Sequence, residues 1–148
     1  MRTMHLREHL LPHLLELHRL TDEAVHLGVL RDQGVLCVER LHGHRSAPLP
    51  VQVGGILPVH ATALGKVLLA FADEALGDRA DQLVRSTNRT ILASRALDGE
   101  LEDVRSLGFA VDRGEFRPNI GCLAAPVCGP VHHRAGRRPL TSFLSVVC

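Results

Sequence analysis

A chain of 148 residues, 45% of them hydrophobic, is long enough to bury one core, so a single domain over residues 1–148 is the expectation. Its 17 Lys and Arg against 16 Asp and Glu leave a net charge of +1, without the basic excess that neutralising a phosphate backbone requires. Aromatics make up only 3%, with no Trp or Tyr, which excludes a stacking platform for single-stranded bases and leaves an aliphatic core.

Leu6, Leu10, Leu14, Leu17 and Leu20 recur every three or four residues, the stripe of an amphipathic helix. Pro12 suits a first helical turn, where its missing N–H costs nothing, so the spacing predicts a helix beginning near Leu11. His, Arg and Glu interrupt this segment, so it serves neither as a signal peptide nor as a membrane span, and a cytoplasmic protein without membrane contact is expected. AVHLGVL (24–30) and VLCVERL (35–41) flank the polar link RDQG and predict an antiparallel hairpin.

After a polar loop over 42–50, VQV (51–53) reads as a short strand broken by Gly54 and Gly55. Helices are expected over about 63–72, 76–85 and 98–107, the last closed by Gly108. GFAVD, CLAAPV and LTSFLSVV follow as strands. Strands, then helices, then strands predict an α+β domain in which a largely antiparallel sheet carries helices on one or both faces.

The cysteines Cys37, Cys122, Cys128 and Cys148 show no CxxC spacing and read as reduced thiols. Ten scattered histidines lack Cys/His ligand spacing, so neither a metal nor a cofactor is expected.

LPVHATALGKVLLAF (57–71) holds the only lysine, Lys66. A phosphate loop of the GxxxxGK[ST] type is excluded, because the first glycine is missing and Val67 stands where the hydroxyl belongs. A helix start remains: Thr62 caps, and the free amides near Ala63 and Leu64 form an anion-holding terminus. Close packing of small residues on a sheet explains Ala61, Ala63 and Gly65 equally well. In LGFAVDRGEFRPNIGCLAAPVC (107–128), Asp112 closes one strand and Cys122 opens the next, bringing an acid and a thiol to one end of the sheet. No histidine is near Cys122 in sequence to activate it, so a hydrogen-bonding or structural thiol is expected over a nucleophile.

Taken in order, LREHLLPHLLELHRLT, HATALGK and GFAVD with the following GCLAAPV resemble the effector-binding carboxyl-terminal domain of the IclR family of bacterial transcription regulators. The resemblance implies a curved, mainly antiparallel sheet flanked by helices, related to profilin-like or GAF-like sensing folds, assembling as homodimers or tetramers. It implies a non-enzymatic sensor of a small carboxylic or aromatic acid that passes the signal to DNA through oligomer rearrangement. The implied effector site comprises the amides of Ala63 and Leu64, the side chains of Asp112 and Cys122, the hydroxyl of Ser145, and an apolar wall of Leu49, Leu57 and Ile120. DNA contact is expected only through the family's winged helix-turn-helix, which would precede this chain, and the family's terminal helix is expected to be missing after Cys148. The alternatives are a small cysteine-dependent enzyme, or a zinc-binding variant built from Asp112, Cys122 and a histidine such as His60.

Overall fold

A computed structural model describes residues 2–32, 34–43, 51–72, 83–128 and 141–147. The first helix, α1 (Arg2–Thr21), is followed by β1 (Ala24–Arg31), β2 (Gly34–Leu41) and the two-residue β3 (Ile56–Leu57). Next come α2 (Ala63–Phe71), α3 (Ser94–Leu107), β4 (Ala110–Arg113), β5 (Gly121–Cys128) and β6 (Thr141–Val147). The strands form one sheet in the order β3-β2-β1-β6-β5-β4, with every neighbouring pair antiparallel. This is the α+β arrangement expected from the sequence.

Alternation along β1 divides the core in two. Val25, Leu27 and Val29 pack with Val38 under α1, whose Leu14 is wholly buried and whose Leu6, Leu10 and Leu17 flank it. On the opposite face Ala24, Val35, Cys37, Ala110, Cys122 and Ala124 pack under α2, and α3 packs on α2 through Leu97, Leu101 and Val104. Lying between sheet and α3, α2 is buried all round, every residue but Phe71.

The helix α1 begins well before Leu11, and Pro12 lies inside it. Leu6 and Leu10 continue the apolar contact with the sheet upstream of the proline, and that burial outweighs its helix-breaking cost of about 3 kcal/mol. Leu20, counted in the stripe, is 67% exposed, so the apolar face ends at Leu17. Val51–Val53 is not a strand: Gly55 N donates to Gln52 O at 2.8 Å in a turn, and Gly54 (φ 88°) donates to Cys37 O at 2.8 Å. The pairing falls instead to Ile56 and Leu57, opposite Leu36 and Val35. The helix α3 starts four residues before the expected Asp98, while Gly108 closes it as expected, left-handed at φ 83° with its N–H on Val104 O. Of the helix expected over 76–85, residues up to 82 lie outside the described residues, and Leu83–Arg85 is not helical. Among the described residues no helix is long and apolar enough to cross a membrane.

Candidate ligand-binding site

Thr62 holds extended geometry (φ −126°, ψ 149°) and its Oγ1 accepts from Gly65 N at 3.1 Å while donating to Pro58 O at 2.6 Å. The hydroxyl thus caps α2 and ties it to the preceding segment. Lys66 N reaches Thr62 O at 3.0 Å, the first bond of the helix, so the amides of Ala63 and Leu64 have no intrahelical acceptor. A Cβ added at Gly65 would stand 2.2 Å from Val59 O and 2.3 Å from Val59 Cα, so glycine is what lets the segment before α2 fold back onto the helix.

Beneath α2, Asp112 on β4 pairs in register with Cys122 on β5, and both are buried, at 1% and 5% exposure. Directly paired residues of an antiparallel ladder share a face, so the acid and the thiol stand side by side. The Asp112 carboxylate accepts from Glu115 N at 2.7 Å, holding the turn that leaves β4. Burial raises its pKa to about 6, and the Glu115 carboxylate pushes the same way, against the opposing pull of the Glu115 amide bond and Lys66.

Register places Ser145 on β6 between His26 of β1 and Ala124 of β5. Leu57 is buried on edge strand β3, and Ile120, immediately before β5, is partly buried against the same core. Ile120 also lines an outer cleft of about 420 Å³ with Thr87, Arg89 and Arg113. Leu49 lies outside the described residues.

Two functional groups were not among the expected site residues. Lys66 is fully buried, ion-paired with Glu100 of α3 and with Glu115 Oε1 at 2.6 Å, and donates to Val111 O at 3.1 Å. It clamps helix layer and sheet together; a single lysine inside an apolar helical run was the available signal. His26 is 0% exposed, and among the described residues neither of its ring nitrogens has a hydrogen-bond partner. Burial, then the charge of Arg40 and His42, lowers its pKa to about 4. A histidine in the middle of an apolar strand was its signal.

Cys37 and Cys122 are buried thiols, and burial pushes Cys37 up to about 11. His60, considered as a zinc ligand, is buried with Nε2 against Val84 O at 2.8 Å. Among the described residues no three His, Cys, Asp or Glu side chains are grouped as a metal site.

The sequence matches the family model for the C-terminal domain of the bacterial transcriptional regulator IclR over residues 1–135. The chain belongs to the IclR family. This IclR domain is 35% identical over 118 residues to the HTH-type transcriptional regulator KdgR of Escherichia coli, a match covering 76% of the chain and 44% of KdgR. Its fold superposes on the crystal structure of Thermotoga maritima IclR with a TM-score of 0.83 at 28% identity, covering 95% of this chain and 56% of that one. An IclR homologue from Microbacterium hydrocarbonoxydans, crystallised with 4-hydroxybenzoate, superposes with a TM-score of 0.82 at 27% identity, covering 98% and 58%. The chain spans about half the length of the regulators it matches. Such relatives are transcriptional regulators, and the region matched is the C-terminal domain of the family.

Proposed function

We propose that this IclR domain senses a small carboxylic or aromatic acid in the cytoplasm. Occupancy favours one arrangement of subunits in a dimer or tetramer, and this alters the grip on DNA of a winged helix-turn-helix elsewhere in the regulator. A coupling of about 1–3 kcal/mol between the two sites is sufficient.

The observation that carries this reading is the start of α2. Two amides without intrahelical acceptors, at Ala63 and Leu64, begin a buried helix packed on the sheet face that holds Asp112 opposite Cys122. The helix start holds the carboxylate, and Asp112, Cys122 and Ser145 take the ligand's polar edge. Leu49, Leu57 and Ile120 set its size. That a structural neighbour was crystallised with 4-hydroxybenzoate, an aromatic acid, supports the ligand class.

A thermal-shift screen of organic acids, followed by calorimetric titration of the hits, tests the reading. Stabilisation by at least one acid is expected, and Asp112→Ala lowers its affinity about tenfold, the cost of one lost charge-assisted hydrogen bond. Hits that bind the folded variant undiminished would show that the site lies elsewhere.

A further inference from the structure

The α2 face of β1 carries a second polar centre that the expected site does not include. His26 and Arg40 are directly opposite each other in the β1–β2 register. Among the described residues both ring nitrogens of fully buried His26 lack partners, and so does Arg40 Nε, although Arg40 is anchored through Nη1 on the Val51 carbonyl. A buried imidazole without partners costs free energy, and a group that enters the fold and completes its bonds recovers that cost.

The surroundings put this pair on the sheet face on which α2 packs. Leu64, whose amide opens α2, lies over β1: a Cβ at Gly28, two residues after His26 on the same face, would sit 2.7 Å from Val35 Cγ1 and 3.3 Å from Leu64 Cδ1, so the face is closely packed at that end. In the other direction the register runs from His26 through Ser145 to Ala124 and Ala110, the alanines buried at 0% and 2%. The row that begins at His26 is thus continued by residues with short side chains, which set little bulk beside the imidazole.

We propose that His26 and Arg40 form a second polar subsite of the ligand hollow, which receives an oxygen-bearing group of the ligand. The ligand is then an organic acid with a second oxygen function, a hydroxyl, keto or carboxylate group, and not a plain hydrocarbon acid. The Arg40 guanidinium donates only, while a neutral imidazole donates at one nitrogen and accepts at the other, so the pair recognises a hydroxyl, a keto group or a carboxylate. Burial, which keeps His26 neutral near pH 7, supports that role. This inference rests on the acid-sensing reading above.

Calorimetric titration of the chain with matched acids separates the two. The probes are 4-hydroxybenzoate against benzoate, and 2-oxobutyrate and succinate against butyrate. The expected result is that at least one oxygenated acid binds about tenfold more tightly than its plain counterpart. In His26→Leu and in Arg40→Met that preference falls severalfold, while the plain acid binds as before. A measurement on the unaltered chain covers the case in which the variants do not fold: the preferred acid shifts the imidazole ¹⁵N signals of His26, assigned through its backbone amide. Plain acids bound as well as oxygenated ones, a preference that survives both variants, or unmoved His26 ring signals overturn the subsite and leave the acid-sensing reading standing. No binding of any probe acid or screened organic acid overturns both.

Discussion

Lys66 shows how a charged side chain becomes part of a core. Its ammonium is taken wholly out of water, and two carboxylates from different elements, Glu100 of α3 and Glu115 after β4, meet it. Removing the lysine leaves Glu115, 7% exposed, as a buried carboxylate without its counterion. Lys66→Met is therefore expected to cost about 3–5 kcal/mol in urea denaturation. Glu100 is 35% exposed in its side chain, and Glu100→Gln costs about 1 kcal/mol or less, because water replaces the partner. Combining Lys66→Met with Glu115→Gln recovers part of the loss; equal destabilisation by both single variants would show that the clamp is not centred on Glu115. Two other buried groups set opposing pH dependences. Asp112, flanked by Glu115 and Lys66, titrates at about 6 in the fold against an ordinary 3.8. The folded chain thus holds a proton that the unfolded chain has released, and stability falls as pH rises through that window. His26, facing Arg40 and His42, titrates at about 4 against an ordinary 6.5, so the unfolded chain takes up its proton first and stability falls as pH drops. The slopes largely cancel between about pH 4 and 6. Asp112→Asn keeps the acceptor for the Glu115 amide and removes the first slope, so its urea midpoint falls steadily on acidification. His26→Gln shows the reverse trend, and parallel profiles for the two variants would contradict the assignment.

At the scale of elements, the beginning of α2 is set by two neighbours, Thr62 and Gly65. Glycine inside a helix ordinarily weakens it relative to alanine by about 0.5–1 kcal/mol. At Gly65 that gain is unavailable, because the added carbon meets the Val59 backbone at 2.2 Å. Gly65→Ala is expected to destabilise by about 1–3 kcal/mol, as overpacking does, and to weaken acid binding by moving the amides of Ala63 and Leu64. Gly99→Ala in α3, where nothing lies within 4 Å, is the control and stabilises by about 0.5–1 kcal/mol. Stability curves for the pair check the claim, and the same sign in both would refute it. The elements themselves were largely legible in the sequence, since the β1–β2 hairpin, α2, the Gly108 cap and the three later strands each carry a local signal of period, cap or turn. What was not legible depends on tertiary contact. Pro12 hides the first turns of α1, whose reason for being helical is burial of Leu6 and Leu10 against a sheet formed later in the chain. VQV has the alternation of a strand, but the turn at Gly54 and Gly55 takes the backbone bonds to Cys37 that it would need. For the site, the helix start and the Asp112–Cys122 neighbourhood could be read from spacing. The His26–Arg40 pairing could not, because the bulge between Leu27 and Gly28 sets the β1–β2 register.

For the molecule as a whole, the sheet separates two packed layers with different tasks. On one face α1 covers β1 and β2 through an aliphatic cluster around Leu14, while on the other α2 and α3 enclose the polar groups proposed to hold the ligand. Stability contributed by the α1 layer is then separable from affinity contributed by the α2 layer, provided the β1 backbone between them does not move. Pro12 offers the test, since it is exposed inside α1, where it lacks an amide and crowds the carbonyl four residues before it. Replacing it with alanine restores the bond and is expected to raise unfolding free energy by up to about 3 kcal/mol. The affinity for a bound acid should stay within about twofold, because sites that share no contacts act additively within a few tenths of a kcal/mol. Urea denaturation and calorimetric titration of Pro12→Ala give the two numbers independently. If affinity changes along with stability, α1 and the hollow are coupled through β1, and the sheet carries the signal across its thickness.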